Sequence, residues 1–294
     1  MKDKVEFRKL REFGELIGDT FLFMKQNFKP LMKSFFALTG IFIVGGIISS
    51  LLAQLQLVGI AQAAGTIYDD SPQNMIYNVG FTYFLSMVFV LLTYTSMYVS
   101  ILSFIALYIE KGNIAPTVDE VWAYFKYYFF RMMGSGILLV IFFMLCLILC
   151  IVPGIYVYPA LTLFAPIMIL ENGSFSHSFD RSFKLLKEEW WITAAVILVI
   201  NLIFYAFSTM VQLPAIIIMM VGAFTQGERT ITNVYAVISS VSQQISYIFM
   251  IIPIICSSLI YFNLVERKEN LGLFQRMDSL GQNSETDQTI HEEY

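Results

Sequence analysis

The sequence predicts an all-α fold, a polytopic membrane helix bundle, on three observations. Mean hydropathy is +0.69 and only 14% of residues are charged, against about 25% in soluble domains. Six apolar runs follow one another at 35–59, 81–109, 132–152, 155–170, 192–213 and 245–265. Most reach the roughly 20 residues that cross a 30 Å hydrocarbon core. Finally, a pattern of aromatics and lysine recurs three times, each copy preceding an apolar run.

Some thirty charged and amphipathic residues precede the first run, so no cleavable signal is expected and the first span is retained. Within that segment "TFLFMKQNF" (20–28) aligns without a gap to "VWAYFKYYF" (121–129) and "SFKLLKEEW" (182–190). Each copy has an aromatic second (Phe21, Trp122, Phe183), lysine sixth (Lys25, Lys126, Lys187) and an aromatic ninth (Phe28, Phe129, Trp190). In the third copy Phe175, Phe179, Phe183, Leu186 and Trp190 recur in steps of three and four, a helical stripe that leaves His177, Asp180, Arg181 and Lys184 off it. Each copy is therefore expected to form an amphipathic helix in the cytoplasmic interface, followed by two spans. The result is six transmembrane helices plus three interfacial helices, in a threefold internal repeat of units at about 10–110, 111–171 and 172–266. Unequal spacing is partly absorbed by an outer loop around Asp69, Asp70 and Pro72.

The second span carries "TYTSMYVSILS" (93–103), which sets Thr93, Ser96, Ser100 and Ser103 along one helix face. They either line a polar cavity with Asn201 or Gln212, or make the ordinary interhelical contacts of small hydroxyl residues in membranes. The third and fourth spans are joined at "IVPGIY", where Pro153 is expected to end one helix and Gly154 to supply the permissive turn. The fourth run is short, and is either nearly upright or incomplete. The fifth continues past Pro214, where a kink or a re-entrant segment is expected. Pro253 should kink the sixth, with Ser257 and Ser258 available to satisfy loosened backbone groups, and Gln243 and Gln244 are placed near the outer interface. Residues 1–266 form a single membrane domain, and the polar tail 267–294 is expected to be disordered.

Basic residues orient the chain. Of the 18 Lys and Arg, all but Arg229 fall in the N-terminal segment, in 111–131, in 181–187 or after the sixth span. These segments all lie on one side of the six spans, which places both termini in the cytoplasm. Lys25, Lys126 and Lys187, with Trp122, Trp190 and Trp191, would form an anchoring collar there. The lysines either meet anionic lipid phosphates or simply snorkel to the surface.

Catalytic chemistry finds little support. Glu110, Glu171, Glu228 and Glu266 lie at or beyond span ends, which argues against a proton-coupled pump and an intramembrane metalloprotease. Two histidines, His177 and His291, cannot build a His-based metal cage, and Cys146, Cys150 and Cys256 fall inside apolar spans. No serine sits in a nucleophile elbow, and "GSG" at 134–136 suits close helix packing. No cofactor and no nucleic-acid partner are expected, only membrane lipids and other membrane proteins.

The stretch from "IVPGIYVYPALTLFAPIMILENGSF" to "SHSFDRSFKLLKEEWW" contains Pro153, Gly154, Pro166, Glu171, Arg181, Ser182 and Lys187 ahead of a tryptophan. It resembles the membrane domain attached to some bacterial glycerophosphodiester phosphodiesterases, and its stand-alone, largely uncharacterised inner-membrane relatives. The resemblance covers about forty residues and implies architecture more than activity, because hydrolysis in the attached enzymes belongs to a separate soluble barrel. The expected function is a non-catalytic membrane scaffold or lipid-associated accessory protein. The alternative is a transporter or permease for a neutral or amphiphilic solute.

Overall fold

The structure, a computed structural model, describes residues 4–63, 72–149, 151–224 and 229–269. It comprises α1 (Phe13–Ala63), α2 (Pro72–Glu110), α3 (Val118–Leu149), α4 (Ile151–Leu170), α5 (Phe175–Leu186), α6 (Trp190–Phe224), α7 (Arg229–Ser246), a 3-10 turn (Tyr247–Met250) and α8 (Ile251–Glu269). Among the described residues there is no strand. Six segments are long and apolar enough to cross a membrane, the last running from Asn233 through the 3-10 turn to Glu269.

α8 is the centre of the bundle. From Ile251 to Phe262 every residue except Pro253 is buried, and α1, α2, α4 and α6 all contact it. The outward faces of α3 and α6 instead expose Ile148, Leu149, Leu198, Leu202 and Phe224, the pattern of helices that meet lipid. Charges gather at one end. Lys111 pairs with Glu120 at 2.8 Å, Tyr124 donates to Glu110 at 2.8 Å, and Arg267 pairs with Glu189 at 3.1 Å. This charged end also receives the N-terminus, where Lys4 donates to the Asn113 carbonyl at 2.9 Å.

Only the third repeat copy forms a helix of its own. α5 starts at Ser174, whose hydroxyl accepts from the His177 backbone N–H, and stops at the charged run before Trp190. The second copy is continuous with its span in the 32-residue α3. The first is joined to its span in the 51-residue α1 through a break at Asn27 (φ −111°, ψ 15°). Pro30 explains that break, because it cannot donate to the Gln26 carbonyl and its ring presses on the preceding turn. The ninth aromatic is 53% exposed as Phe28 but 6% exposed as Phe129, so aligned positions do not share surroundings.

Three other expectations change. Pro214 neither ends α6 nor starts a re-entrant segment, since α6 runs unbroken for 35 residues. The helical segment that carries the last apolar run extends back to Asn233, and Gln244 is buried, its amide against the position of Gly46 on α1. Pro253 occupies the first turn of α8, where its missing N–H costs little, and the 3-10 turn precedes it. Ser257 and Ser258 both donate to the Ile254 carbonyl, at 2.8 and 3.1 Å, and not to a carbonyl that the proline frees. The tail lies outside the described residues apart from 267–269, which complete α8.

Glycine permits a close approach between α1 and α2. A Cβ on Gly45 would collide with the ring of Phe89 from α2. Gly45→Val is therefore expected to overpack the α1–α2 seam by about 1–3 kcal/mol. Lower thermal stability of the purified protein in detergent, with Phe89→Ala partly restoring it, is the expected result.

Candidate functional site

The predicted polar cavity does not assemble. Thr93, Ser96 and Ser100 are all buried in the α1–α2 seam. Ser96 donates to the Leu38 carbonyl at 3.3 Å and to Thr39 Oγ1 at 3.1 Å, Thr93 donates to the Phe42 carbonyl at 3.3 Å, and Ser100 Oγ lies 3.5 Å from Thr39 Oγ1. The hydroxyls of Thr93 and Ser96 are spent on holding two helices together, each such bond contributing well under about 2 kcal/mol in membranes, while Ser100 donates to the Met97 carbonyl of its own helix at 3.1 Å. Asn201 stands elsewhere, on α6, and its amide donates to the Ile197 carbonyl one turn back at 2.7 Å.

Asn201 belongs instead to a groove between α4 and α6. The groove encloses about 540 Å³ and is lined by Tyr158, Pro159, Trp190, Ala194, Asn201 and Tyr205 among others. Its rim residues Trp191, Leu198, Leu202 and Tyr205 are exposed, and two alanines, Ala194 and Ala195, leave the width. Beside it a second hollow of about 370 Å³ is formed by Val152, Ile155, Tyr156, Lys187, Glu188, Trp190 and Trp191. The two share Ile155 and both tryptophans, so an apolar channel leads to one lysine and one glutamate. Trp190 is fixed there by stacking on Tyr156, with ring centroids 5.5 Å apart, and by donating its indole N–H to the Tyr156 carbonyl at 3.0 Å.

The collar residues do not meet in one place. Lys25 is exposed on α1. Lys126 lies on α3 with its ammonium 5.6 Å from the centroid of Trp122, a cation–π contact within its own helix. Lys187 lines the second hollow together with Trp190 and Trp191. Pro153 and Gly154 are not the turn between α3 and α4. Both fall in the first turn of α4, where proline is tolerated and Gly154 lies against Leu147 of α3. Cys150, the residue between the helices, lies outside the described residues.

A second cluster was not anticipated. Glu171, just past α4, accepts from His177 Nε2 at 2.9 Å, from Arg181 Nε and from Tyr261 Oη at 2.8 Å. Arg181 reaches on to Glu269 at 2.8 Å, so one carboxylate ties α4 to α5 and α8. Asn172 makes the reversal possible with a left-handed backbone (φ 51°), which asparagine tolerates. Arg131 of α3 donates to the Asn172 side chain at 2.9 Å and to the Gly173 carbonyl. Burial raises the Glu171 carboxyl, but the hydrogen bonds from His177, Arg181 and Tyr261 outweigh it and hold the group below its ordinary value. Burial likewise lowers the Arg181 guanidinium, and bonds to Glu171 and Glu269 more than reverse this. Glu171 and Arg181 were visible in the sequence ten residues apart, around an Asn-Gly-Ser turn. The partner that completes the cluster, Tyr261, is ninety residues away.

Among the described residues no three of His, Cys, Asp and Glu gather closely enough to hold a metal ion. Comparison with protein-family profiles, with curated proteins and with solved structures finds no match to this chain.

Proposed function

We propose that this multi-pass membrane protein is a non-catalytic scaffold or accessory protein that seats a membrane lipid in the α4–α6 groove. One observation carries the reading: an apolar groove with an exposed rim leads, between two tryptophans, to Lys187. That sequence of surfaces matches the chemistry of a phospholipid, with acyl chain against Tyr158, Ala194 and Leu198, and phosphate near the Lys187 ammonium. Asn201 spends one amide N–H on the Ile197 carbonyl, and its remaining amide N–H and oxygen face the groove beside Tyr158.

Two points favour this over a permease. The hydroxyls that would line a solute path hold α1 to α2 instead. The Glu171 cluster lies at the charged end and is saturated by its own partners, an arrangement suited to fastening helices. The concentration of basic residues at that end supports a cytoplasmic orientation for it in a bacterial inner membrane. From the resemblance to the phosphodiesterase-associated membrane domain we take a setting in envelope lipid metabolism and no hydrolytic role.

The test is native mass spectrometry of protein extracted with its surrounding lipid. Wild type is expected to retain phospholipid, and Lys187→Gln combined with Ala194→Trp to retain several-fold less. Equal retention would remove the groove as a lipid seat. Solute flux above that of empty vesicles in reconstituted liposomes would replace the scaffold reading with transport.

A further inference from the structure

We propose that the α3–α4 hairpin does not cross the bilayer but enters and leaves through the charged end, binding the acyl chains of a single leaflet. The chain then crosses four times, by α1, α2, α6 and the α7–α8 unit, and both termini stay on one side. This stands independently of whether the α4–α6 groove holds a lipid.

α8 serves as a ruler. Tyr261 and Arg267 are six residues apart, about 9 Å along the helix. Glu171, at the end of α4, is bonded to Tyr261 at 2.8 Å. Glu189 is bonded to Arg267 at 3.1 Å, and its neighbour Trp190 both stacks on Tyr156 and donates to its carbonyl at 3.0 Å. Tyr156 is therefore held by the first residue of α6, and Glu171 by Tyr261, six residues before Arg267. Yet the helix between them is fifteen residues, about 22 Å long. Had α4 run alongside α8, Tyr156 would lie near the 3-10 turn, about 22 Å away along the bundle. α4 instead lies across the bundle.

The neighbours of the hairpin agree. Val152 and Ile155, the first residues after its tip, share a hollow with Lys187 and Glu188. α5 lies along the hairpin, with Phe175 against Phe164 at 5.3 Å and Phe179 against Phe142 at 5.2 Å. On its other side α5 carries exposed His177, Asp180 at its edge and exposed Lys184, so α5 belongs at a membrane surface. A hairpin bound along an interfacial helix is itself shallow.

Sequence supplies an independent reason. From Leu145 to Ile155 there is no charged, hydroxyl or amide side chain. Ile148, Leu149, Ile151 and Val152 are 68–82% exposed. A crossing hairpin would present these residues to water on the far side, where the other two connections carry Asp69, Asp70, Glu228 and Arg229. Inside one leaflet the same residues meet hydrocarbon.

The experiment replaces Cys146, Cys150 and Cys256 with alanine in the full chain and adds single cysteines. In intact cells an impermeant maleimide should label Asp70→Cys and leave Val152→Cys unlabelled. Spin labels at Val152→Cys and Lys187→Cys, in protein reconstituted into liposomes, should show a short separation by double electron–electron resonance. A hairpin that spans would separate them by about 30 Å. Labelling of Val152→Cys from the Asp70 side, or a label separation near that span, would overturn the proposal.

Discussion

Arg11→Met is expected to destabilise the protein by about 3–5 kcal/mol, because it removes every donor of a buried cation while keeping its volume. Arg11 is 2% exposed. Its guanidinium bonds Asp19 at 2.7 Å and turns back onto the carbonyls of Phe7 at 2.8 Å, Lys9 at 3.1 Å and Glu6. Its backbone N–H donates to Asn263 Oδ1 of α8 at 2.8 Å. These bonds fold residues 4–12 into a strap across the charged end and drive Phe7 inward. The Phe7 ring meets Phe23, Tyr108 and Phe262 edge-on, with centroids 5.1, 6.2 and 5.6 Å away, and so joins α1, α2 and α8. Phe7→Ala should cost about 3–5 kcal/mol by leaving a cavity at that junction. The two losses should not add, since each releases the same strap. Melting of the purified single and double variants would show this. Trypsin should also cut at Arg8 and Lys9 faster in both single variants than in wild type. Additive losses, or unchanged proteolysis, would mean that the strap does not act as a unit.

The strap also marks the limit of what a linear pattern reveals. Residues 4–12 read as a charged approach to the first helix, and nothing local distinguishes Phe7 from an exposed aromatic. Its burial comes from three helices spread over more than two hundred positions. Hydropathy located α3 and α6 because their outward-facing apolar side chains repeat with little interruption. It left out the helical segment before the last apolar run because α7 is rich in serine and glutamine that face neighbouring helices. Ser246, for example, donates to the Ser208 carbonyl of α6 at 3.3 Å. A window average treats such inward polar groups as exits from the membrane. The face of Thr93, Ser96 and Ser100 was correctly read as one face, but periodicity cannot say whether a face meets a cavity or a helix. The same holds for the collar: Lys187, Trp190 and Trp191 were legible as an interfacial group, and the groove behind them needed α4 brought alongside α6.

Glu171 contributes to the acid sensitivity of the charged end. Its carboxyl sits below the ordinary carboxylate value of 4.5 in the folded protein. A lowered carboxyl pKa of this kind stabilises the fold at pH values above the unfolded value, and that stability is lost as pH falls through the folded one. Arg181 stays charged throughout this range, so the loss comes from the carboxylate side alone. Wild-type melting should thus be level near neutrality with respect to this group and decline below about pH 4. Glu171→Gln removes the charge opposite Arg181 and one acceptor of the shared site, leaving Arg181 with Glu269 only. The side chain of Glu171 is 17% exposed, so solvent reduces the penalty of breaking the pair from its fully buried size. A loss of about 2–3 kcal/mol at neutral pH follows. The curves of wild type and Glu171→Gln should then approach one another in acid, where both lack the charge. Parallel curves would mean that another group sets the acid limit. Convergence would show that the end of α4 is held to α5 and α8 by an ionised carboxylate. It would also make the seat of the hairpin a pH-dependent contact, since Tyr261 and Arg181 both bond the end of α4 through that residue.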